Sequence, residues 1–362
     1  MAPAREMCSI VPATMRIARL AVALALPAAL AHSGGCGESA VDVGAADGGT
    51  SSSSSASSSS GGGSSSSGGS TSSGGSSSGS ADAGKDAASG LVPSGCVTDV
   101  SPGDHAFTCD GYAVQVRLPV ACKAGGCGAI LDVHGATMNA AMEDANTNMR
   151  AIGEREGYVV VQPSAKGTPP SAVWNPGADY DKVWAAFSLV RSVYKVDPKK
   201  VHVTGFSQGG RMTFTFACKY SAEIASAAPA GEAGCTATEL GAATREVPLL
   251  HMHGTEDVVV SYGLVAAPQR DAIVSTWAMG SPTTTGDGTY TRAKYVNGKG
   301  TVYEHVSHGY AASSALLKGH CYPGSGDPGT VPGQLFSFAC TPPNGFVWGE
   351  EVVAFFKAHP LP

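Results

Sequence analysis

A long serine- and glycine-rich block near the N-terminus limits how much of the chain can fold. Between residues 49 and 80 every residue is serine or glycine except Thr50, Ala56 and Thr71. Such a segment has almost nothing apolar to bury, so it cannot offset the entropy that it would lose on ordering. We therefore expect residues 36–90 to be a disordered tether and residues 91–362 to form one folded domain with a single large core.

The first 35 residues predict a secretory signal peptide. Arg16 and Arg19 precede a short apolar run over residues 20–31, the usual order in such a leader. Cys36, which follows Ser-Gly-Gly shortly after the run, also resembles the lipid-attachment cysteine of a bacterial lipoprotein. We expect an exported protein, either released outside the cell or held at the cell surface or in the periplasm by a lipid on Cys36.

Charge and hydropathy argue against a nucleic-acid partner and against a membrane-spanning segment beyond the leader. The net charge is −6, only 14% of residues are charged, and the largest basic cluster is the pair Lys199-Lys200. Nucleic-acid binding needs many cations on one face, so we expect no nucleic-acid partner. Beyond the leader no apolar run has the length of a membrane span. A lipid on Cys36 would be the only membrane contact, and we expect a monomer.

Eight cysteines follow the tether, and an even number in an exported chain predicts disulfides. Many pairings are open to eight cysteines, and we predict that sequence neighbours pair. The predicted bridges are Cys96–Cys109, Cys122–Cys127, Cys218–Cys235 and Cys321–Cys340. The sequence contains no Cys-x-x-Cys pair, which argues against a zinc site.

Short apolar runs alternate with stretches of helical periodicity along residues 91–362. They predict strands at 112–119, 128–134, 158–162, 201–204 and 247–252, and helices at 181–194, 208–220, 269–279 and 346–359. Such alternation is typical of a mostly parallel sheet with helices on both faces, so we predict an α/β fold. Ligands bind these sheets at the carboxyl ends of the strands, so the chemistry is expected in the turns that follow them.

The motif Gly205-Phe206-Ser207-Gln208-Gly209 lies between a predicted strand and a predicted helix, the context of a nucleophile elbow. So tight a turn strains the serine backbone and leaves room only for glycine on either side. It raises the Ser207 hydroxyl above the sheet, beside the free N–H groups of a helix N-terminus. We predict Ser207 as a nucleophile; the alternative is a Gly-Ser turn before an ordinary helix.

A serine nucleophile needs a base, and the base needs an acid that orients it. Glu256 and Asp257 directly follow the strand predicted at 247–252, and the residue pattern leaves both open as the acid. We select His320 as the base, because glycine, proline and a predicted disulfide at Cys321 would hold its loop rigid. The other histidines downstream of the acid are His305, His308 and His359.

Three further residues complete the candidate site. The backbone N–H groups of Ala136 and Gln208 form the predicted oxyanion hole, since Ala136 follows the strand at 128–134. Trp174 lies in a loop rich in Gly, Pro and Asn and is a candidate platform for an aromatic acyl group or a sugar ring. Packing as a loop anchor is the alternative for this tryptophan.

Two histidines raise the question of a metal site. His251 and His253 alternate along one strand, as two ligands of one ion would. No third ligand is evident, so we expect no metal and no cofactor. His134, beside the predicted oxyanion hole, is expected to have a structural role.

In this order and at these spacings, the motifs resemble those of the exported α/β-hydrolase esterases of carbohydrate esterase family one. That group includes poly(3-hydroxybutyrate) depolymerases and feruloyl and acetylxylan esterases. The matching segments are residues 131–135, 196–210, 247–248, 253–257 and 319–324, within a resemblance over most of 95–362. It implies the α/β-hydrolase fold, with Ser207 as nucleophile, His320 as base and Asp257 rather than Glu256 as acid.

Three positions depart from the family pattern. Tyr322 stands where the family often has Trp, Ser261 where it has Pro, and Lys318 where it has Gly. These positions lie beside the predicted site, so they put the substrate preference in doubt rather than the reaction.

These observations predict a serine esterase that acts through an acyl-enzyme. The substrate is an ester, with a polymeric one (a polyester or a plant cell-wall polysaccharide) among the candidates, and hydroxybutyrate, ferulate and acetate all stay open as acyl groups. A serine peptidase is one alternative, because a triad does not distinguish an ester from an amide. A non-catalytic surface lipoprotein that binds ligands is another, and the strain of an elbow, about 1–3 kcal/mol, argues against it.

Overall fold

The computed structural model describes residues 90–362. The predicted signal peptide (residues 1–35), Cys36 and all but the last residue of the predicted tether lie outside the described residues. Within residues 90–362, no helix combines the length and the apolar character needed to cross a membrane.

The described residues form ten strands and seven α-helices. The strands are β1 (Gly103–Cys109), β2 (Tyr112–Leu118), β3 (Gly128–Val133), β4 (Tyr158–Pro163), β5 (Val201–Phe206), β6 (Ser226–Ala230), β7 (Leu249–Gly254), β8 (Thr283–Gly286), β9 (Tyr290–Val296) and β10 (Val302–His308). The helices are α1 (Ala140–Thr147), α2 (Met149–Glu156), α3 (Tyr180–Val193), α4 (Gln208–Lys219), α5 (Ala237–Ala242), α6 (Ala267–Thr276) and α7 (Trp348–Ala358).

All ten strands belong to one sheet, in the order β1-β2-β4-β3-β5-β6-β7-β10-β9-β8. The middle six strands, from β4 to β10, are parallel, and the antiparallel pairs lie toward the two edges. The prediction of a mostly parallel sheet is therefore confirmed. Because β3, β5 and β7 are parallel, their carboxyl ends lie along the same edge of the sheet, and the candidate residues follow those ends.

Helices cover both faces of this sheet, as predicted. Neighbouring side chains on a strand point to opposite faces, and here they enter two separate buried clusters. Leu131 and Val161 pack in one cluster with residues of α3, α4 and α6. Ile130 and Val160 pack in the other with residues of α1, α2 and α7.

Several elements lack a clear sequence signal. β6 has the sequence Ser-Ala-Ala-Pro-Ala, which is poor in strand-forming residues, yet all five residues are buried between β5 and β7. No predicted element covers β1, β8, β9, α1, α2 or α5, and β10 has no predicted bounds. One local signal for α1 is Asn139, whose side chain caps the helix by accepting a hydrogen bond from Met142 N at 3.0 Å.

The ends of the predicted elements either agree with the structure or differ from it by up to three residues. β7 begins at Leu249 rather than at 247, because Pro248 has no N–H to donate to a neighbouring strand. β5 extends two residues beyond 204 and ends at Phe206, directly before the elbow serine.

All four predicted disulfides are present: Cys96–Cys109, Cys122–Cys127, Cys218–Cys235 and Cys321–Cys340. The Cys321–Cys340 bridge joins two segments 19 residues apart. Cys321 is buried directly after His320, so this bridge restrains the turn that carries the candidate base.

We expect Cys340→Ser to reduce catalytic turnover more than it reduces stability. A loop of this length contributes about 3 kcal/mol in the chain-entropy picture, while displacement of a base by about 1 Å can lower a rate roughly a hundredfold. Turnover and chemical unfolding of the same preparation measure both effects. Cys122→Ser, which opens the distant Cys122–Cys127 bridge, is the control and should leave turnover unchanged. Active protein whose Cys321 and Cys340 are both alkylated without reduction would contradict the prediction.

Candidate active site

Ser207 occupies a strained turn between β5 and α4. Its backbone has φ 54° and ψ −119°, a conformation that costs free energy for any residue with a side chain. Ser207 N donates a hydrogen bond to Ala230 O at the end of β6, at 2.8 Å. The turn is therefore anchored to the neighbouring strand and presents the serine at the carboxyl edge of the sheet.

The glycines of the motif allow the turn to approach β3 and β6 closely. A Cβ added at Gly205 would lie 2.6 Å from Val133 O, and one added at Gly209 would overlap the same oxygen. A Cβ at Gly210 would overlap Ala230 O. The elbow therefore needs glycine because backbone atoms of both neighbouring strands fill the space of a side chain.

Asp257 and His320 form a short, buried hydrogen bond. His320 Nδ1 donates to Asp257 Oδ2 at 2.6 Å, and the two residues are 2% and 6% exposed. Asp257 Oδ1 accepts from Val259 N at 2.9 Å and from Val260 N at 2.8 Å. Burial opposes ionisation of this carboxyl, but the charge and hydrogen bond of His320 outweigh it and hold the pKa of Asp257 below its ordinary value. Asp257 is thus a carboxylate that orients the His320 ring.

Glu256, the other acid that the sequence leaves open, is exposed, and among the described residues its side chain has no hydrogen bond to His320. The remaining histidines downstream are engaged elsewhere. His305 bonds with Tyr303 and Tyr262 inside the sheet, at 3.3 and 3.1 Å. His308 is buried at the end of β10, and His359 is half-buried beyond the end of α7.

The His320 ring lies beside the elbow. It packs against the Phe206 ring, with centroids 4.5 Å apart, and a Cβ added at Gly231 would lie 3.3 Å from its Cε1 atom. Because Nδ1 is bonded to Asp257, Nε2 is the nitrogen left for a serine proton. Within the described residues Ser207 Oγ forms no hydrogen bond with His320; such bonds are often long before substrate binds.

His253 also lies against the acid, near the same carboxylate oxygen that accepts from His320. Its Nε2 lies 2.8 Å from Val260 O and 3.4 Å from Asp257 Oδ2. Both neighbours accept hydrogen bonds, so Nε2 carries the proton, and burial lowers the pKa of His253 and keeps the ring neutral. His253 therefore closes the turn from residue 257 to residue 260. Sequence reasoning considered His253 only as a metal ligand.

His251, one of the two histidines considered as metal ligands, bonds to neighbouring side chains on β10. His251 Nδ1 lies 3.3 Å from His305 Nδ1 and 3.2 Å from the Tyr303 hydroxyl. In residues 90–362, no three His, Cys, Asp or Glu side chains are arranged to hold a metal ion.

The loop after β3 brings a backbone donor to the elbow. Ala136 N and Gln208 N have no hydrogen-bond acceptor among the described residues, and a Cβ at Gly135 would lie 3.2 Å from Ser207 Cβ. His134 fixes this loop: its Nε2 accepts from Ala165 N at 2.9 Å, and its Nδ1 donates to Gly135 O at 2.6 Å. The two N–H groups predicted to form the oxyanion hole are therefore unbonded within the described chain, in the segments on either side of the Ser207 turn.

Trp174 is an anchor of the same loop. Its indole N–H donates to His134 O at 2.8 Å, and its backbone N–H donates to Gln208 Oε1 at 2.9 Å. The side chain is only 3% exposed and its ring lies against that of His134, with centroids 4.8 Å apart. These contacts favour the loop-anchor alternative over the platform for an acyl group or a sugar.

Replacing the two neighbouring acids separately tests the assignment of Asp257. Asp257→Asn should lower turnover by roughly four orders of magnitude, because an amide favours the wrong tautomer of His320. Glu256→Gln, the matched control in an exposed position, should leave turnover within about twofold. Steady-state kinetics of both variants measure this, and the reverse pattern would identify Glu256 as the acid.

Six buried histidines predict that acid destabilises the fold. Burial lowers their pKa values: to about 4 for His134, to about 3 for His202, His305 and His308, and below 6.5 for His251 and His253. As the pH falls below 6.5 the unfolded chain binds protons there that the folded chain does not, so stability decreases.

Three buried carboxyls with raised pKa values have the opposite effect on stability, because the folded chain binds their protons more readily than the unfolded chain. They are Asp132, Glu143 and Glu232, and the six histidines outnumber them. We expect the midpoint of thermal unfolding to decrease from about pH 6.5 to about pH 5. A midpoint that stays constant over this interval would contradict the prediction.

Comparison with known proteins gives local sequence matches. A family model described as phospholipase/carboxylesterase matches residues 186–278. A bifunctional acetylxylan esterase/xylanase of Neocallimastix patriciarum is 30% identical over 135 residues, which are 37% of this chain and 20% of that protein. Feruloyl esterase B of Piromyces equi is 26% identical over 142 residues, 37% of this chain and 26% of that protein. The chain thus spans a fifth to a quarter of these relatives' length.

Among solved structures, an acetyl xylan esterase from Aspergillus awamori is similar, with a TM-score of 0.46 and 16% identity, over 58% of this chain and 91% of that chain. The mostly parallel strand order, with a nucleophile elbow between β5 and α4, is that of an α/β-hydrolase sheet. The chain has the α/β-hydrolase fold, and its sequence resembles the phospholipase/carboxylesterase family and esterases of the acetylxylan and feruloyl type.

Proposed function

We propose that this protein is a serine hydrolase that cleaves carboxylic esters through an acyl-enzyme. The observation that carries the proposal is the buried 2.6 Å hydrogen bond from His320 to Asp257, beside the strained turn of Ser207. This arrangement can deprotonate a serine hydroxyl, because a carboxylate stabilises the imidazolium that forms. The local resemblance to acetylxylan and feruloyl esterases supports an ester as the substrate.

In the proposed reaction, Ser207 Oγ attacks the ester carbonyl carbon while His320 Nε2 takes its proton. The carbonyl oxygen becomes an oxyanion, which the N–H groups of Ala136 and Gln208 stabilise. The tetrahedral intermediate collapses, the alcohol leaves with the proton from His320, and an acyl-enzyme remains. Water then attacks the acyl carbon with His320 again as base, and the acid product leaves while Ser207 regains its proton.

The proposed substrate class is an ester outside the cell, with the acyl group left to experiment. Four disulfides in the described residues support an exported protein. Acetyl or feruloyl esters of a plant cell-wall polysaccharide agree with the names of the matched relatives. Anchoring through a lipid on Cys36 stays a prediction from the leader.

Ser207→Ala tests the nucleophile. We expect turnover of p-nitrophenyl acetate to fall by about three orders of magnitude or more, with the unfolding transition preserved. Ser275→Ala, at an exposed position of α6, is the control and should retain wild-type turnover. A fluorophosphonate probe should label the wild type and the control but not Ser207→Ala. Turnover close to wild type in Ser207→Ala would disprove the proposal.

The substrate class needs a second measurement on the wild type. Methyl ferulate, acetylated xylan and hydroxybutyrate oligomers are compared by kcat/KM, with peptide anilides as the amide series. Ester turnover well above anilide turnover is expected. Turnover of anilides alone would favour a peptidase, and a protein that neither reacts with the fluorophosphonate probe nor turns over any of these substrates would favour the binding role.

A further inference from the structure

Two buried carboxyl groups beneath the candidate site take no part in the proposed reaction. Asp132 lies on β3 and Glu143 on α1, and they are 0% and 1% exposed. Asp132 Oδ2 accepts hydrogen bonds from Thr147 Oγ1 at 3.0 Å and from Gln162 Nε2 at 2.8 Å. Glu143 Oε2 accepts one from the Tyr322 hydroxyl at 2.5 Å. Each carboxyl therefore has one oxygen that is bonded and one that is not.

The unbonded oxygens are Asp132 Oδ1 and Glu143 Oε1, both buried and without a donor among the described residues. The charge of Asp132 acts directly on the Glu143 carboxyl, and two buried carboxylates this close would repel each other. One proton between them removes the repulsion and satisfies both oxygens. Burial and then the charge of Asp132 raise the pKa of Glu143 well above its ordinary value. Burial raises the pKa of Asp132 to about 6, less than it would without the bonds from Gln162, Glu143 and Thr147.

The charged groups around this pair do not supply a counter-ion. Asp144 faces both carboxyls and is itself paired with Arg150 at 3.1 Å. Asp327, in the loop beyond Tyr322, is also negatively charged, and after burial and Glu143 its charge adds to the rise in the pKa of Tyr322. In the described part of the chain, neither carboxyl is hydrogen-bonded to a lysine or an arginine. A proton is therefore the means by which the charge of the pair is reduced.

Tyr322 connects the pair to the candidate base. It follows His320 by two residues, and its ring packs on Phe206 with centroids 4.1 Å apart, on the same ring that contacts His320. Tyr322 N donates to Phe338 O at 2.8 Å, and Cys340 N donates to Tyr322 O at 3.0 Å. The hydroxyl of Tyr322 thus adds a bond from the base turn to α1 and, through Asp132, to β3.

We propose that Glu143 and Asp132 share one proton and, through the Tyr322 hydroxyl, position the turn that carries His320. Glu143 Oε1–H donates to Asp132 Oδ1, and Glu143 Oε2 accepts from Tyr322. Glu143 and Tyr322 are positioning residues, since neither touches the reacting atoms. When alkaline pH removes the proton, two carboxylates face each other and the link to Tyr322 loosens. The effect on catalysis through His320 rests on the proposed esterase function, whereas the shared proton is independent of that function.

Two substitutions of Glu143 separate the shared proton from the mere presence of a side chain. In Glu143→Gln the amide N–H₂ can donate to Asp132 and the amide oxygen can accept from Tyr322, as the neutral acid does. We expect it to keep wild-type kcat and to lose the decline of kcat at alkaline pH. Glu143→Leu leaves Asp132 Oδ1 and the Tyr322 hydroxyl without a partner and should lower kcat about tenfold with little change in KM. A Gln variant as impaired as the Leu variant would overturn the proposal.

Stability against pH tests the proton without any assay of activity. Above the ordinary pKa of a glutamate the unfolded chain has released this proton while the folded chain retains it. The folding equilibrium constant of the wild type should therefore fall by up to about tenfold per pH unit relative to Glu143→Gln. Urea unfolding of both proteins from about pH 5 to about pH 8 measures this ratio. A ratio independent of pH would overturn the shared proton, whereas a wild type without ester turnover would refute only the proposed function.

Tyr322→Phe tests the link itself. It removes one hydroxyl and should lower kcat about tenfold, with no further loss when combined with Glu143→Leu, because both break the same connection. Tyr194→Phe is the matched control: this buried hydroxyl donates to Asp99 O at 3.0 Å, and its loss should leave kcat unchanged. Additive losses in the double variant, or equal losses in Tyr322→Phe and Tyr194→Phe, would show that the hydroxyl does not position His320.

Discussion

The close approach of the Ser207 turn to the backbones of β3 and β6 is the constraint on which the rest of the site depends. A positive φ at a serine costs about 1–3 kcal/mol and persists only where the surroundings hold it. Here Val133 O and Ala230 O occupy the space that side chains at Gly205, Gly209 and Gly210 would need. The turn therefore requires a strand on each side, so the nucleophile can lie only in the middle of the sheet.

A central nucleophile determines where its partners can come from. β3 supplies the loop with Ala136, and β7, beyond β6, supplies the turn with Asp257. The base has no strand of its own, and its turn is held by contacts from several directions. These are the Phe206 ring, the Cys321–Cys340 bridge and the Tyr322 hydroxyl on Glu143. The turn that carries the base, which belongs to no strand or helix, is thus held by ring packing, a disulfide and a hydrogen bond together.

Local chemistry explains what the sequence could predict. The elbow, the parallel strands and the neighbouring disulfides each depend on residues close together in the chain, so their patterns are visible without a structure. β6 could not be predicted, because burial between two strands, and not the propensity of Ser-Ala-Ala-Pro-Ala, makes it a strand. The bond between Tyr322 and Glu143 could not be predicted either, because it joins residues 179 apart in the chain. Nor could the contact of His253 with Asp257, because it depends on how the turn between them folds.

Three buried carboxyls in and behind the candidate site have different pKa values, because they accept hydrogen bonds from different donors. Asp257 has two backbone N–H groups and His320, and its pKa is lowered despite burial. Asp132 has two neutral side-chain donors besides Glu143, and burial raises its pKa to about 6. Glu143 accepts a bond from one tyrosine hydroxyl, and burial raises its pKa well above the ordinary value. Because donors stabilise the charged form, the fold keeps the carboxylate that faces the base ionised and holds a proton on the one that supports the turn behind it.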